Sequence, residues 1–201
     1  LKSNKLKIGL NISGLLWSGG YSGNNQFGLK IDYQRYIRSI IKYLLENDKF
    51  EVHIISHVIL DDINNPEADN YVSSIIVKEY PEVIEAPLFK SPIDAKTYIS
   101  NMDCFIGSRM HATIASFSAG VPTIPVSYSR KFEGLYQSLN YPYVIHALEY
   151  STETAVDKTV CFIENIDELS RKIQDSMYII DNKSKVLYRT LESVLNDVMR
   201  G

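Results

Sequence analysis

Short apolar runs alternate with segments of helical spacing along most of this chain, and that alternation restricts the fold more than any other feature. Lys7–Ile12 (KIGLNI), Glu51–Ser56 (EVHIIS), Val83–Ala86, Asp103–Gly107 (DCFIG), Val121–Tyr128 (VPTIPVSY) and Tyr143–His146 read as strands. Between them, Ile31–Leu45 places Ile37, Ile40, Ile41, Leu44 and Leu45 on one helical face, and Pro66–Val77 groups Ala68, Val72, Ile75 and Ile76. Ser91-Pro92-Ile93-Asp94 is a helix start, with a serine cap, proline at the first helical position and an acid at the third. Ser108–Ala119 is expected to be a helix capped by Ser108, with Met110, Ile114 and Phe117 as its core face and Gly120 as its left-handed stop. Phe132–Leu139 is a shorter helix, and Asp167–Asp181 and Lys185–Met199 are two C-terminal helices. The prolines of Val121–Tyr128 predict an edge or end position for that strand.

Strand alternating with helix specifies a parallel sheet with helices on both faces, joined by right-handed crossovers. The expected class is therefore α/β and Rossmann-like, as a single domain over residues 1–201 with 165–201 given to C-terminal helices. Composition removes several functions. Twenty-one basic against 24 acidic residues leave a charge of −3, which does not suit a nucleic-acid module. Two cysteines, Cys104 and Cys161, with no CxxC and no histidine pair at ligand spacing, argue against a disulfide scaffold or a zinc cluster. Asp61 and Asp62 have no second carboxylate cluster beside them, so no metal site is expected. No apolar stretch reaches the roughly 18 residues of a membrane span and no signal peptide opens the chain, so the expected setting is the cytoplasm. The chain starts at Leu1 rather than Met, which reads as an excerpt of something longer.

Sheets of this kind bind ligands beyond the carboxyl ends of their strands. Four strand ends therefore matter: those after Ile12, Ser56, Gly107 and Val126. After Gly107 come Ser108, Arg109 and His111. A helix N-terminus carries unpaired N–H groups and about half a positive charge, and Arg109 adds a fork of donors suited to carboxylate or phosphate. After Val126 come Ser127, Tyr128 and Lys131, two hydroxyls and a cation fit for a phosphate. After Ile12 comes a glycine-rich loop that matches neither GxGxxG nor a phosphate loop, so nicotinamide and P-loop nucleotide sites lose support. Its Trp17 and Tyr21 are candidate stacking faces for a sugar, and His57 closes the second strand within reach of the cleft. For each group the alternative is structural: a surface ion pair for Arg109, a loop cap for His111, a satisfied polar residue at the sheet edge for His57, a solvated turn for Lys131, a self-closed loop for Trp17 and Tyr21.

The segment Asp103–Asn140 resembles the polysaccharide pyruvyl transferase family. The resemblance is carried by Arg109-Met110-His111 at the head of a helix, Ala119-Gly120-Val121-Pro122, and a second strand ending in Ser127-Tyr128 with Lys131 beyond. Leu10–Trp17 (LNISGLLW) and the strand ending at His57 are also similar. Met110 stands where leucine is usual, and Ser56 where proline often precedes the histidine. The resemblance implies one lobe, the C-terminal one, of a glycosyltransferase-B-like arrangement whose N-terminal lobe is missing here. It implies transfer of pyruvate from phosphoenolpyruvate, as a substrate and without a cofactor, onto sugar hydroxyls of a surface polysaccharide or its lipid-linked precursor at a membrane, as a ketal. Its implied roles are acid/base for His111 and His57, donor binding for Ser108, Arg109, Lys131, Ser127 and Tyr128, and acceptor contacts for Trp17 and Tyr21. Two other functions stay open: a nucleotide-sugar glycosyltransferase of the same architecture, and a non-catalytic anion- or glycan-binding module. The first would usually place an acid near the head of the helix after the fourth strand, and Ser108–Gly120 contains neither Asp nor Glu.

Overall fold

The computed structural model describes residues 5–200. Residues 1–4 and 201, which the expected domain includes, lie outside the described residues. Six strands form one parallel sheet: β1 (Leu6–Asn11), β2 (Phe50–Ile54), β3 (Ile84–Glu85), β4 (Cys104–Gly107), β5 (Thr123–Ser127) and β6 (Ile145–His146), in the order β3-β2-β1-β4-β5-β6. The chain works outward from β1 to one edge, returns, and works outward from β4 to the other. The order reverses between β1 and β4, where Asn11 is level with Gly107. A crevice opens at such a switch point beyond the carboxyl ends of the two strands.

Alternate residues of each strand enter opposite layers, as a two-residue period requires. Ile8 and Leu10, Cys104 and Ile106, and Ile124 and Val126 meet Ile37, Ile40, Ile41 and Leu44 of helix α2 (Tyr33–Leu45), joined by Val72 and Ile76 of α3 (Asp69–Glu79) and Ala155 and Ile163 of α7 (Thr152–Glu164). On the opposite face, Phe105, Ile55 and Met102 meet Ile99 of α4 (Pro92–Ile99) and Ala112 of α5 (Met110–Ser118). The start of α4 is as its sequence dictates: Ser91 Oγ accepts the Asp94 N–H at 3.2 Å with Pro92 in the first turn.

Several expectations give way. The helix after β4 begins at Met110, with Arg109 rather than Ser108 at its cap position and no side-chain cap bond. Its buried face is Ala112, Thr113, Ser116 and Phe117, while Ile114 is 36% exposed. Small residues win because α5 lies close to the sheet. Ser116 Oγ and Thr123 Oγ1 are 2.8 Å apart, and a Cβ on Gly107 would stand 2.7 Å from Thr113 Cγ2. Gly120 does take the left-handed conformation, φ +76°.

β5 is internal despite its prolines. Ser127 O accepts from Ala147 N on the β6 side, so by alternation Pro125 turns its missing N–H toward the same side. There β6 pairs only from Val126 onward, and no ladder bond is lost. The two expected C-terminal helices are one, α8 (Ile166–Arg200), because no glycine or proline interrupts Asp181–Lys185. It seats Leu169 and Ile173 in the core and leaves Leu187, Leu191 and Val194 exposed. A short α1 (Gly14–Trp17) interrupts the expected loop. α6 (Arg130–Gln137) follows β5, and α7 occupies a stretch for which no element is expected.

Candidate active site

At the switch point a buried carboxylate ties three strand ends together. Asp69, the first residue of α3, has no exposed surface. Its Oδ1 accepts from Gly14 N at 2.8 Å and from Arg109 Nη2 at 2.9 Å and Nε at 3.1 Å. Its Oδ2 accepts from Val58 N at 3.0 Å and His57 N at 3.3 Å, the chain leaving β2. Asn11, last in β1 and fully buried, completes the set: its Oδ1 accepts from Arg109 N at 3.0 Å and its Nδ2 donates to Ile55 O at 3.0 Å. An enclosed carboxylate is stable only when its oxygens are filled by donors and its charge is met. Here backbone amides, the Asn11 side-chain amide at 3.4 Å and one guanidinium fill the oxygens, and the guanidinium meets the charge.

The fork expected to meet a donor anion therefore faces inward. Arg109 spends Nε and Nη2 on Asp69, and Nη2 also donates to Glu67 O at 2.8 Å; its side chain is 11% exposed. Ser108 is likewise unavailable: it is buried, and its Oγ accepts from the Tyr33 hydroxyl at 2.8 Å. Tyr33, first in α2, also accepts from Ser13 N at 3.0 Å, so one ring clamps the ends of β1 and β4. Burial raises its hydroxyl pKa and keeps it a donor.

What the cluster presents outward is a pair of imidazoles. The rings of His57 and His111 stack with centroids 6.5 Å apart and planes 18° from parallel. His111 is exposed in the first turn of α5. His57 is half-buried, and no partner takes its ring nitrogens among the described residues. Its pKa falls below the ordinary 6.5, first because burial penalises the cation; the Asp69 charge opposes this, while the charges of His111 and Arg109 add to it. The N–H groups of Met110, His111 and Ala112 have no acceptor among the described residues, so the α5 N-terminus stays open to an anion.

The remaining expected residues separate from this pair. Trp17 is 9% exposed and packs in the core, with the Arg38 guanidinium 4.6 Å from its ring centroid; both line a cleft of 700 Å³ whose lining does not include the histidine pair. Tyr21 is 62% exposed, with its hydroxyl bonded to Glu67. Tyr128 packs edge-on against Phe27 and Phe132. Ser127 is 3% exposed and borders a small cleft of 150 Å³ with Arg130, Glu133 and His146. Lys131 is exposed in the first turn of α6, without an ionic partner among the described residues. Sequence reasoning missed Asn11, Tyr33 and Asp69, although an asparagine closing an apolar strand is a usable signal.

Gly14 shows how tightly the cluster is built. A Cβ there would stand 2.7 Å from Ala68 O and 2.8 Å from Ala68 C, and neither backbone atom can swing aside. Gly14→Ala is expected to destabilise the fold by about 1–3 kcal/mol, the cost of overpacking a filled site. Urea denaturation checks this, and a loss under a few tenths would mean that the α1–α3 contact is loose.

An open parallel sheet whose functional groups gather at its switch point is a Rossmann-like, doubly wound architecture. The family model for polysaccharide pyruvyl transferase matches residues 15–130, more than half of the chain, and the chain belongs to that family. Among solved structures, it is similar to an α,α-trehalose-phosphate synthase (UDP-forming) from Burkholderia vietnamiensis, with TM-score 0.59 and 7% identity, covering 95% of this chain and 45% of that one. It is also similar to the C-terminal domain of a glycosyl transferase group 1 family protein from Francisella tularensis, with TM-score 0.57 and 14% identity over 90% of this chain and 87% of that one. A synthase of the first kind from Burkholderia xenovorans gives TM-score 0.55 at 10% identity, with 88% of this chain and 39% of that one covered. At these identities the likeness is one of fold. The chain spans less than half the length of the two synthases. No curated protein matches it. Among the described residues no helix is long and apolar enough to cross a membrane.

Proposed function

We propose that this lobe serves pyruvyl transfer, moving the enolpyruvyl unit of phosphoenolpyruvate onto hydroxyls of a sugar or glycan acceptor as a ketal. The stacked His57–His111 pair at the carboxyl ends of β2 and β4 is the observation that carries this reading. The reaction needs a proton at the donor methylene carbon, which makes the adjacent carbon electrophilic. One sugar oxygen attacks that carbon as its own proton leaves; the second hydroxyl closes the ring as the carbon–oxygen bond to phosphate breaks, and its proton goes to the departing phosphate. Two imidazoles side by side suit a proton delivered and a proton removed. His111, exposed at a helix head with free amides, is assigned the proton on the donor carbon. The missing lobe supplies the other wall of the cleft, and a lipid-linked acceptor and a cytoplasmic setting go with this reading.

The test uses the two-lobed polypeptide, offered phosphoenolpyruvate or a nucleotide sugar with a glycan acceptor. The expected outcome is phosphate release together with an acid-labile pyruvyl ketal on the acceptor. Nucleotide-sugar turnover without consumption of phosphoenolpyruvate would make it a glycosyltransferase. Ligand binding with no turnover of either would make it a binding module.

A further inference from the structure

The Asp69–Arg109 pair is neutral as a unit, so an anionic ligand at the histidine pair must find its positive charge elsewhere. A cleft of 290 Å³ runs from His57 and Ile59 to Phe89, Lys90 and Ser91, between the segments that follow β2 and β3. We infer that this cleft seats the ligand's anionic group, a phosphate or carboxylate held between the His57 ring and the Lys90 ammonium. The inference rests on the proposed function only for the name of the ligand.

The chemistry of its lining and its place beside the histidine pair favour this cleft. Lys90 is exposed and has no ionic partner among the described residues. The His57 ring nitrogens are unclaimed, whereas Ser56 is spent on Ser73 at 2.8 Å and Ser91 on the α4 cap. The nearby acid, Asp94, is held by the Ser91 hydroxyl at 2.8 Å. A volume of 290 Å³ lies just below the range of about 300–1,000 Å³ typical of small-molecule pockets, which suits a compact anion rather than a nucleotide. The cleft at the end of β5 is smaller, at 150 Å³, and its lining includes Glu133 and Glu149, which repel an anion. Phe89 gives the cleft an apolar wall against which a cation–anion contact is strengthened.

Inorganic phosphate and phosphoenolpyruvate are titrated into the chain while the ring C–H signals of His57 and His111 are followed by NMR, with affinity measured by calorimetry. Saturable shifts at His57 are expected. Lys90→Ala is expected to weaken both ligands about tenfold, the scale of one charge-assisted contact. Lys90→Arg should retain binding, and Lys96→Ala, on the exposed side of α4, should leave it unchanged. Unaltered affinity in Lys90→Ala, loss in Lys131→Ala alone, or no saturable shift at His57 would overturn the inference. If Lys90-dependent phosphate binding accompanies turnover of nucleotide sugars only, the pyruvyl reading falls and the cleft stands. If phosphoenolpyruvate is turned over while Lys90→Ala binds normally, the reverse holds.

Discussion

Asp69→Asn is expected to cost the fold about 3–5 kcal/mol, the range for removing one member of a buried ion pair. The change is nearly isosteric, so little of the loss would come from packing. The Arg109 guanidinium, 11% exposed, would keep its charge without a counterion. The amide half of the new side chain would point N–H groups at N–H groups, because the donors converge on both oxygens: Gly14 on one, His57 and Val58 on the other. Buried donors left without an acceptor each carry a penalty of about 1–3 kcal/mol when they cannot reach water. In a chain of this size each kcal/mol lowers the melting temperature by about 2–4 °C. Thermal and urea denaturation measure the loss, and a cost below about 1 kcal/mol would show that water replaces the carboxylate and the strand ends hold without it. Adding Arg109→Met should restore part of the stability, since the penalty lies in the orphaned charge.

Under the proposed pyruvyl transfer, changing His111 to Gln should lower turnover by about a hundredfold to ten-thousandfold, the span for a positioned acid or base. Glutamine keeps hydrogen-bonding capacity at a similar reach but cannot carry a proton to carbon. His111 is exposed and makes no hydrogen bond within the cluster, so stability should be nearly unchanged. Donor affinity should change by no more than about threefold, because the free amides of α5 and the charge nearby would remain. The separation of the two effects is the measurement: steady-state rate against calorimetric affinity for phosphoenolpyruvate. Equal losses in both would make His111 a binding group and move the proton transfer to His57. His57→Gln offers a contrast, since its backbone already bonds Asp69 and its ring borders the proposed anion cleft. There a loss of affinity should accompany the loss of rate.

The sheet was legible because each strand is a short apolar run bounded by a helix of clear period. The Ser91-Pro92-Ile93-Asp94 start was legible because capping is local chemistry. His57 and His111 stood out because both follow strand ends, and a parallel sheet gathers its strand ends on one side. The rest depended on distance along the chain. Arg109 meets Asp69 across 40 residues and its backbone meets Asn11 across 98, and no spacing rule says whether a guanidinium turns toward solvent or toward a buried acid. Nothing in the sequence sets Asp69 apart from an ordinary acid in the first turn of a helix, where acids are common for reasons of dipole alone. Trp17 in a glycine-rich loop looked exposed until α1 folded it against Arg38. The face of α5 was misjudged for a related reason: periodicity ranks residues by size and apolarity, whereas a helix drawn close to glycine in a strand buries its smallest side chains.

Tyr33 has a consequence for the order in which this lobe is made. It opens α2, whose aliphatic face fills the larger core layer, and the same ring bridges Ser13 to Ser108. Docking of that helix and closure of the crevice are thus a single event. A nascent domain with α2 undocked would leave the β1 and β4 ends unclamped, and the crevice beside His111 would be complete only when the interior has dried.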